Sequence, residues 1–393
     1  MTHALRCTGY TCTDAQIVRA SGCTLFTADS REIIDMESGV WAVGLGHNHP
    51  RINAVLREQL DRISHIGYRV SAAVQDEAAK ALLESAGLID GRCVFLSSGS
   101  EAVEFGAQAA RRVTGKQQLL ALANTFLGSY GSVGRRDADE WHVFDWTPCV
   151  DCPSDQSCSD SCSQLREIPF DRLGGFVFEA GSALIRFPPA KLVAGLRDLV
   201  RDHGGLIVAN EITTGMGRTG RLFGFEHFDL DPDVIAVGKG LGNGYPVSAV
   251  LLRDSMAEGL LSSGFRYAQS HQNDPIGCAV ALEVLRTLRD EGLIERSAVI
   301  GAQFLRGLEG LARSHPQILE ARGYGLLTAF ALVDDGPDFS RSLLVDRLFE
   351  RGFLVGYKLD PSFVRCFPPL TIAEETLARF VQALNEILSG QPG

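Results

Sequence analysis

Residues 206–220, LIVANEITTGMGRTG, and residues 231–245, DPDVIAVGKGLGNGY, decide the reading of this chain. Each segment contains an apolar run of strand length that stops at a polar residue and is followed by glycines. That is the pattern of buried parallel strands handing side chains to loops. In open α/β sheets, ligands bind at such strand ends. Lys239 follows the run VIAV and sits among Gly238, Gly240, Gly242 and Gly244. An amine held there loses water, its pKa falls, and it becomes a nucleophile toward a carbonyl cofactor. On local sequence alone, a solvated loop lysine stands beside this reading.

Further strand-then-loop units lie on the N-terminal side. Residues 92–97, RCVFLS, read as a buried strand running into SGSEAVEFGAQAARRVTG. Ser98, Gly99 and Ser100 fall where the next helix begins, so free amides, two hydroxyls and the positive end of the helix dipole converge there. This is a phosphate seat, with plain helix capping as the alternative. The run QLLALANTFLGSYGS again passes from strand to loop and carries Phe126, either a stacking ring or a core aromatic. The run GFVFE ends in Glu179.

Taken together, these motifs resemble the class III (omega) aminotransferases, pyridoxal-phosphate enzymes of fold type I, and the likeness covers nearly the whole chain. TGMGRTG at 214–220 stands where that family has a TGFGRTG-like run, SSGSEA where it has NSGTEA, and VRCFPPL where it has R-x-x-PPL. The resemblance implies an α/β fold: a large domain with a mainly parallel seven-stranded sheet flanked by helices, at 44–293, and a small α+β domain built from 1–43 and 294–393. It makes Lys239 the Schiff-base and catalytic residue. Ser98, Gly99 and Ser100 hold the cofactor phosphate, Phe126 stacks on the pyridine ring, and Thr213 lies near the 3-hydroxyl. Glu179 and Arg365 form a switchable carboxylate site. Ser270 reaches the phosphate of the neighbouring subunit's cofactor, which implies a homodimer with composite active sites.

Several positions depart from the family. Asn210 replaces the aspartate that keeps the ring nitrogen protonated, Leu127 stands where histidine is common, and EAGSA follows GFVF where EPVQG is usual. A neutral amide cannot form the ion pair, so the electron sink is expected to be weaker. The expected activity is transfer of an amino group from an amino acid or omega-amine to an oxo acid, 2-oxoglutarate or pyruvate, by a ping-pong mechanism through Lys239. The alternative is an amino-acid racemase or epimerase, which gains from a weaker sink. Loss of catalysis ranks below both, because Lys239, Phe126, Glu179 and Arg365 are all present.

Composition sets the outer bounds. The chain has 393 residues, 45% hydrophobic and 22% charged, with a net charge of −11 that argues against a broad nucleic-acid or anionic-membrane surface. There is no apolar leader and no run long enough to span a bilayer, so a cytoplasmic enzyme is expected. Ten cysteines are many for such a compartment. Four cluster as Cys149, Cys152, Cys158 and Cys162, a spacing that can wrap a tetrahedral thiolate site with structural zinc as the simplest metal. Iron–sulfur ligation and reduced thiols are the other readings.

Overall fold

The computed structural model describes residues 3, 5, 15–152, 158–181, 185–336, 339–358 and 363–390. Its centre is a seven-stranded sheet of β4 (Arg92–Leu96), β5 (Gln118–Leu122), β6 (Trp141–Phe144), β7 (Leu173–Phe178), β8 (Leu206–Glu211), β9 (Val234–Val237) and β10 (Ser248–Leu252). The spatial order is β4-β10-β9-β8-β7-β5-β6. Every pairing from β9 through β6 is parallel, while β10 runs antiparallel to both β4 and β9.

Period-two alternation explains why the central strands read as unbroken apolar runs. On β8, Ile207 and Ala209 join one core while Val208 joins the core on the opposite face; on β9, Ile235 and Val237 divide from Val234 and Ala236 in the same way. Helices cover both faces, so neither set of side chains meets water. Complete burial of each Val or Ile stabilises the fold by about 1.5–3 kcal/mol relative to exposure. Helix Gly99–Thr114 lies on one face and stops at Gly115, whose φ of 71° is the left-handed residue that commonly ends a helix.

Two four-stranded sheets flank this core. The first, in the order β1-β2-β3-β13, joins β1 (Ile17–Ser21), β2 (Thr24–Thr27) and β3 (Glu32–Asp35) to β13 (Phe353–Leu354), a parallel pairing between distant parts of the chain. The second, in the order β11-β12-β15-β14, is antiparallel and contains β11 (Ile318–Tyr324), β12 (Leu327–Leu332), β14 (Gly356–Lys358) and β15 (Phe363–Cys366).

After β3 the backbone makes a left-handed turn: Ser38, Gly39, Val40 and Trp41 have φ of 50°, 57°, 60° and 69°. For the three non-glycine residues this costs about 1–2 kcal/mol each. Neighbouring groups hold the turn. Asp35 accepts from the amides of Glu37 and Gly39 at 2.9 and 2.8 Å, and the Ser38 hydroxyl donates to the Phe367 carbonyl. No helix among the described residues is long and apolar enough to cross a membrane.

Candidate active site

The C-terminal ends of β4, β5, β7, β8 and β9 open on the same edge of the seven-stranded sheet, and each passes a residue into one site. After β4, Ser98 caps the following helix by accepting from the Glu101 amide at 3.3 Å. The first amides of that helix have no intrahelical acceptor, which makes them an anion seat. Gly99 is required there: a Cβ would come within 2.6 Å of Ile212 Cγ2. The Ser100 hydroxyl accepts from the Ser129 amide at 3.0 Å, and Ser98 Oγ lies 3.2 Å from the Tyr130 hydroxyl.

Phe126, after β5, is 53% exposed even though its backbone is tied into the site. Its amide donates to Glu179 Oε2 at 3.0 Å and its carbonyl accepts from Asn210 Nδ2 at 3.1 Å. An open ring face on an anchored backbone suits a flat, stacking ligand. Leu127, next in sequence, points instead into the core. Asn210 is buried, with its two ends bonded to Phe126 O and the Ile212 amide.

Lys239 Nζ donates to Thr213 Oγ1 at 2.9 Å. Burial pushes its pKa down to about 8, against the pull of Glu179 and with the help of Arg365. The Glu179 carboxyl moves the other way, raised by burial, and is opposed chiefly by the Phe126 amide bond and the Lys239 charge. Glu211, one residue beyond Asn210, holds the Gly224 and Phe225 amides at 2.7 and 2.8 Å, so it fixes a turn.

The expected Glu179–Arg365 pairing is not formed among the described residues. Arg365 Nη2 lies 3.5 Å from Glu37 Oε1, while Glu179 is engaged with the Phe126 amide. Both cationic residues lie against Trp41, with Lys239 Nζ 4.3 Å and Arg365 Cζ 4.8 Å from its ring centroid. The turn that carries Trp41 is braced by Arg218, which donates to the Leu326 and Pro368 carbonyls and to Ser38 Oγ. Trp41, Glu37 and Arg218 were not picked out from sequence. A tryptophan just after a Ser-Gly step was the available signal, but it says nothing about a partner more than 300 residues away.

Ser270 is exposed in the segment before helix Pro275–Asp290. The cysteine cluster does not form the expected metal centre. Among the described residues, the only group of three or more side chains gathered as metal ligands is His65, His271 and Asp274. Cys149 is buried in the core, Cys158 and Cys162 pack against it, and Cys158 crowds Gly195. Burial pushes the Cys149 thiol up to about 11, further raised by the neighbouring thiols.

This architecture recurs in solved structures. An amine transaminase from an uncultivated Pseudomonas species, in its PLP-bound internal aldimine form, superposes with a TM-score of 0.89 at 24% identity, covering 100% of this chain and 99% of that one. The acetylornithine aminotransferase of Elizabethkingia anophelis gives 0.83 at 25% identity, covering 98% and 96%. The fold is that of the pyridoxal-phosphate-dependent transferases of fold type I. Curated relatives include the acetylornithine aminotransferases of Mycobacterium tuberculosis, 32% identical over 390 residues (96% of this chain, 92% of the relative), and of Methanocaldococcus jannaschii, 27% identical over 394 residues (95% and 93%). The Aminotransferase class-III family model matches residues 8–388, and the chain belongs to the class III aminotransferases, enzymes that depend on pyridoxal phosphate. None of these comparisons supports the racemase alternative.

The residues fit that cofactor. The helix start at Ser98 offers amides to a phosphate, the Phe126 ring offers an open face, and the desolvated Lys239 amine is hydrogen-bonded to Thr213 and feels the charge of Glu179.

Proposed function

We propose that the enzyme transfers the terminal amino group of an ornithine-type donor, N-acetylornithine first among them, to 2-oxoglutarate in two ping-pong half-reactions. The observation that carries this reading is the indole of Trp41, with the Lys239 amine and the Arg365 guanidinium both set against its ring. A substrate stem lying along that ring would place its reacting carbon near the lysine and a carboxylate near the arginine, which suits bidentate carboxylate recognition. The names of the sequence relatives support the donor.

In this reading, pyridoxal phosphate supplies the electron sink when bound. Ser98, Gly99 and Ser100 seat its phosphate, and Phe126 covers one ring face. Asn210 stands at the ring nitrogen. Its neutral amide already donates once and accepts once, leaving one N–H and limited acceptor capacity for that role. Lys239, held partly unprotonated, carries the proton between the substrate carbon and the cofactor. Thr213 orients the amine.

The reading includes a homodimer. Tyr68, Val70 and Tyr130 are 67%, 62% and 50% exposed, surface that a second copy would cover, and Ser270 would then reach the partner's phosphate seat. It also includes a division at 44 and 293, supported by sheet membership: all seven strands of the central sheet fall between Arg92 and Leu252. The test is glutamate formation from N-acetylornithine and 2-oxoglutarate, with parallel double-reciprocal lines as the ping-pong signature. Failure to form glutamate from any of a panel of omega-amino donors overturns the proposal.

A further inference from the structure

We propose that Glu37, just before the left-handed turn, is the acid that pairs with Arg365 before substrate binds and gives way when a dicarboxylate oxo acid enters. The inference rests on the reading of Arg365 as the carboxylate receptor. It departs from the family expectation, in which Glu179 plays this part.

Two independent observations carry it. Arg365 and Glu37 form an ion pair at 3.5 Å with side chains 4% and 14% exposed, whereas the Glu179 carboxylate accepts the Phe126 amide at 3.0 Å. To swing toward Arg365, Glu179 would have to release the backbone that presents the stacking ring. Glu37 has no comparable tie from its carboxylate to the backbone among the described residues. The second observation is Gly356, which pairs with Arg365 across β14 and β15. A Cβ at Gly356 would overlap the Glu37 carboxylate, so the missing side chain makes the room in which that carboxylate stands. Burial raises the Glu37 carboxyl above its ordinary range, opposed by Arg365 and reinforced by Asp35. Among the described residues the acid is therefore held against its own desolvation cost by the Arg365 guanidinium, a pairing that a better-placed substrate carboxylate displaces.

A pair of this kind competes with substrate, so removing the acid tightens binding. Structural damage at the same place would loosen it. The experiment measures, on the holoenzyme, inhibition by glutarate, an unreactive dicarboxylate, and KM for 2-oxoglutarate separately from kcat. In Glu37→Gln both Ki and KM are expected to fall on the order of 10-fold. Gly356→Ala, which crowds the same carboxylate from the other side, is expected to shift Ki in the same direction. Glu179→Gln is expected to leave Ki unlowered. The proposal is overturned if Glu37→Gln and Gly356→Ala leave Ki unchanged or raise it while Arg365→Lys raises it, since Arg365 would then bind the carboxylate unguarded. If Arg365→Lys itself leaves Ki unchanged, the carboxylate reading of Arg365 falls and this inference falls with it. Lowered Ki in Glu179→Gln alone would return the role to Glu179.

Discussion

The two sides of the site are built in different ways. The proposed cofactor side comes from strand ends on one edge of a single sheet, where Ser98, Phe126, Asn210 and Lys239 each lie within a few residues of a strand. The proposed substrate side is assembled from Trp41 on a left-handed turn, Glu37 just before that turn, Arg365 at the far end of the chain, and Arg218, which clamps the turn to the segment after Arg365. The first depends on the twist and register of one sheet. The second depends on long-range contacts that hold a costly backbone conformation.

If this contrast is sound, mutations on the two sides fail differently. Lys239→Ala should remove both half-reactions, slowing each on the order of 10⁴-fold, equivalent to ~5.5 kcal/mol of barrier. It should also abolish the yellow colour that borohydride otherwise fixes on the protein. Arg365→Ala should leave colour and cofactor content intact but raise KM for 2-oxoglutarate roughly 100-fold, ~2.7 kcal/mol of lost carboxylate binding. If it lost the cofactor instead, the separation of the two sides would be wrong.

Gly99→Ala tests the cofactor side by geometry alone. Its new methyl meets Ile212, so we expect about 1–3 kcal/mol of overpacking cost. Cofactor retention on dialysis should fall while glutarate affinity is preserved in molecules that remain loaded.

The pH dependence of cofactor uptake sharpens the same point. Capture requires the unprotonated lysine, and with Lys239 pushed down to about 8 the uptake rate should rise across pH 7 to 9 and then level off. An unperturbed lysine, at ~10.4, would keep the rate rising well past pH 9. Stopped-flow absorbance on the apoenzyme distinguishes the two.

The smallest effect belongs to the turn. Val40 is 53% exposed, so Val40→Gly loses little packing while relieving a β-branched residue at φ 60°. Relief of about 1–2 kcal/mol, less the extra chain entropy of glycine at roughly 0.5–1, should leave the protein slightly more stable to urea.

What the sequence disclosed follows the same division. Apolar runs ending at glycines located β8, β9 and the lysine that follows, and the Ser-Gly-Ser run located the helix start proposed to seat the phosphate, because these signals are local. The Glu179–Arg365 pairing was expected by resemblance and is not formed, since which acid meets Arg365 is set by the approach of Glu37 over Gly356. The cysteine spacing suggested a metal, yet Cys149 is spent on the core. Spacing along the chain does not say whether a thiol faces a cavity or a hydrophobic neighbour.

The parallel pairing of β3 with β13 has a consequence for biosynthesis. All strands of the central sheet leave the ribosome well before residue 353, but the N-terminal hairpin must wait for that late segment, and Arg365 follows it by a dozen residues. A nascent chain therefore acquires the means to hold a vitamin long before it acquires the means to choose what reacts with it.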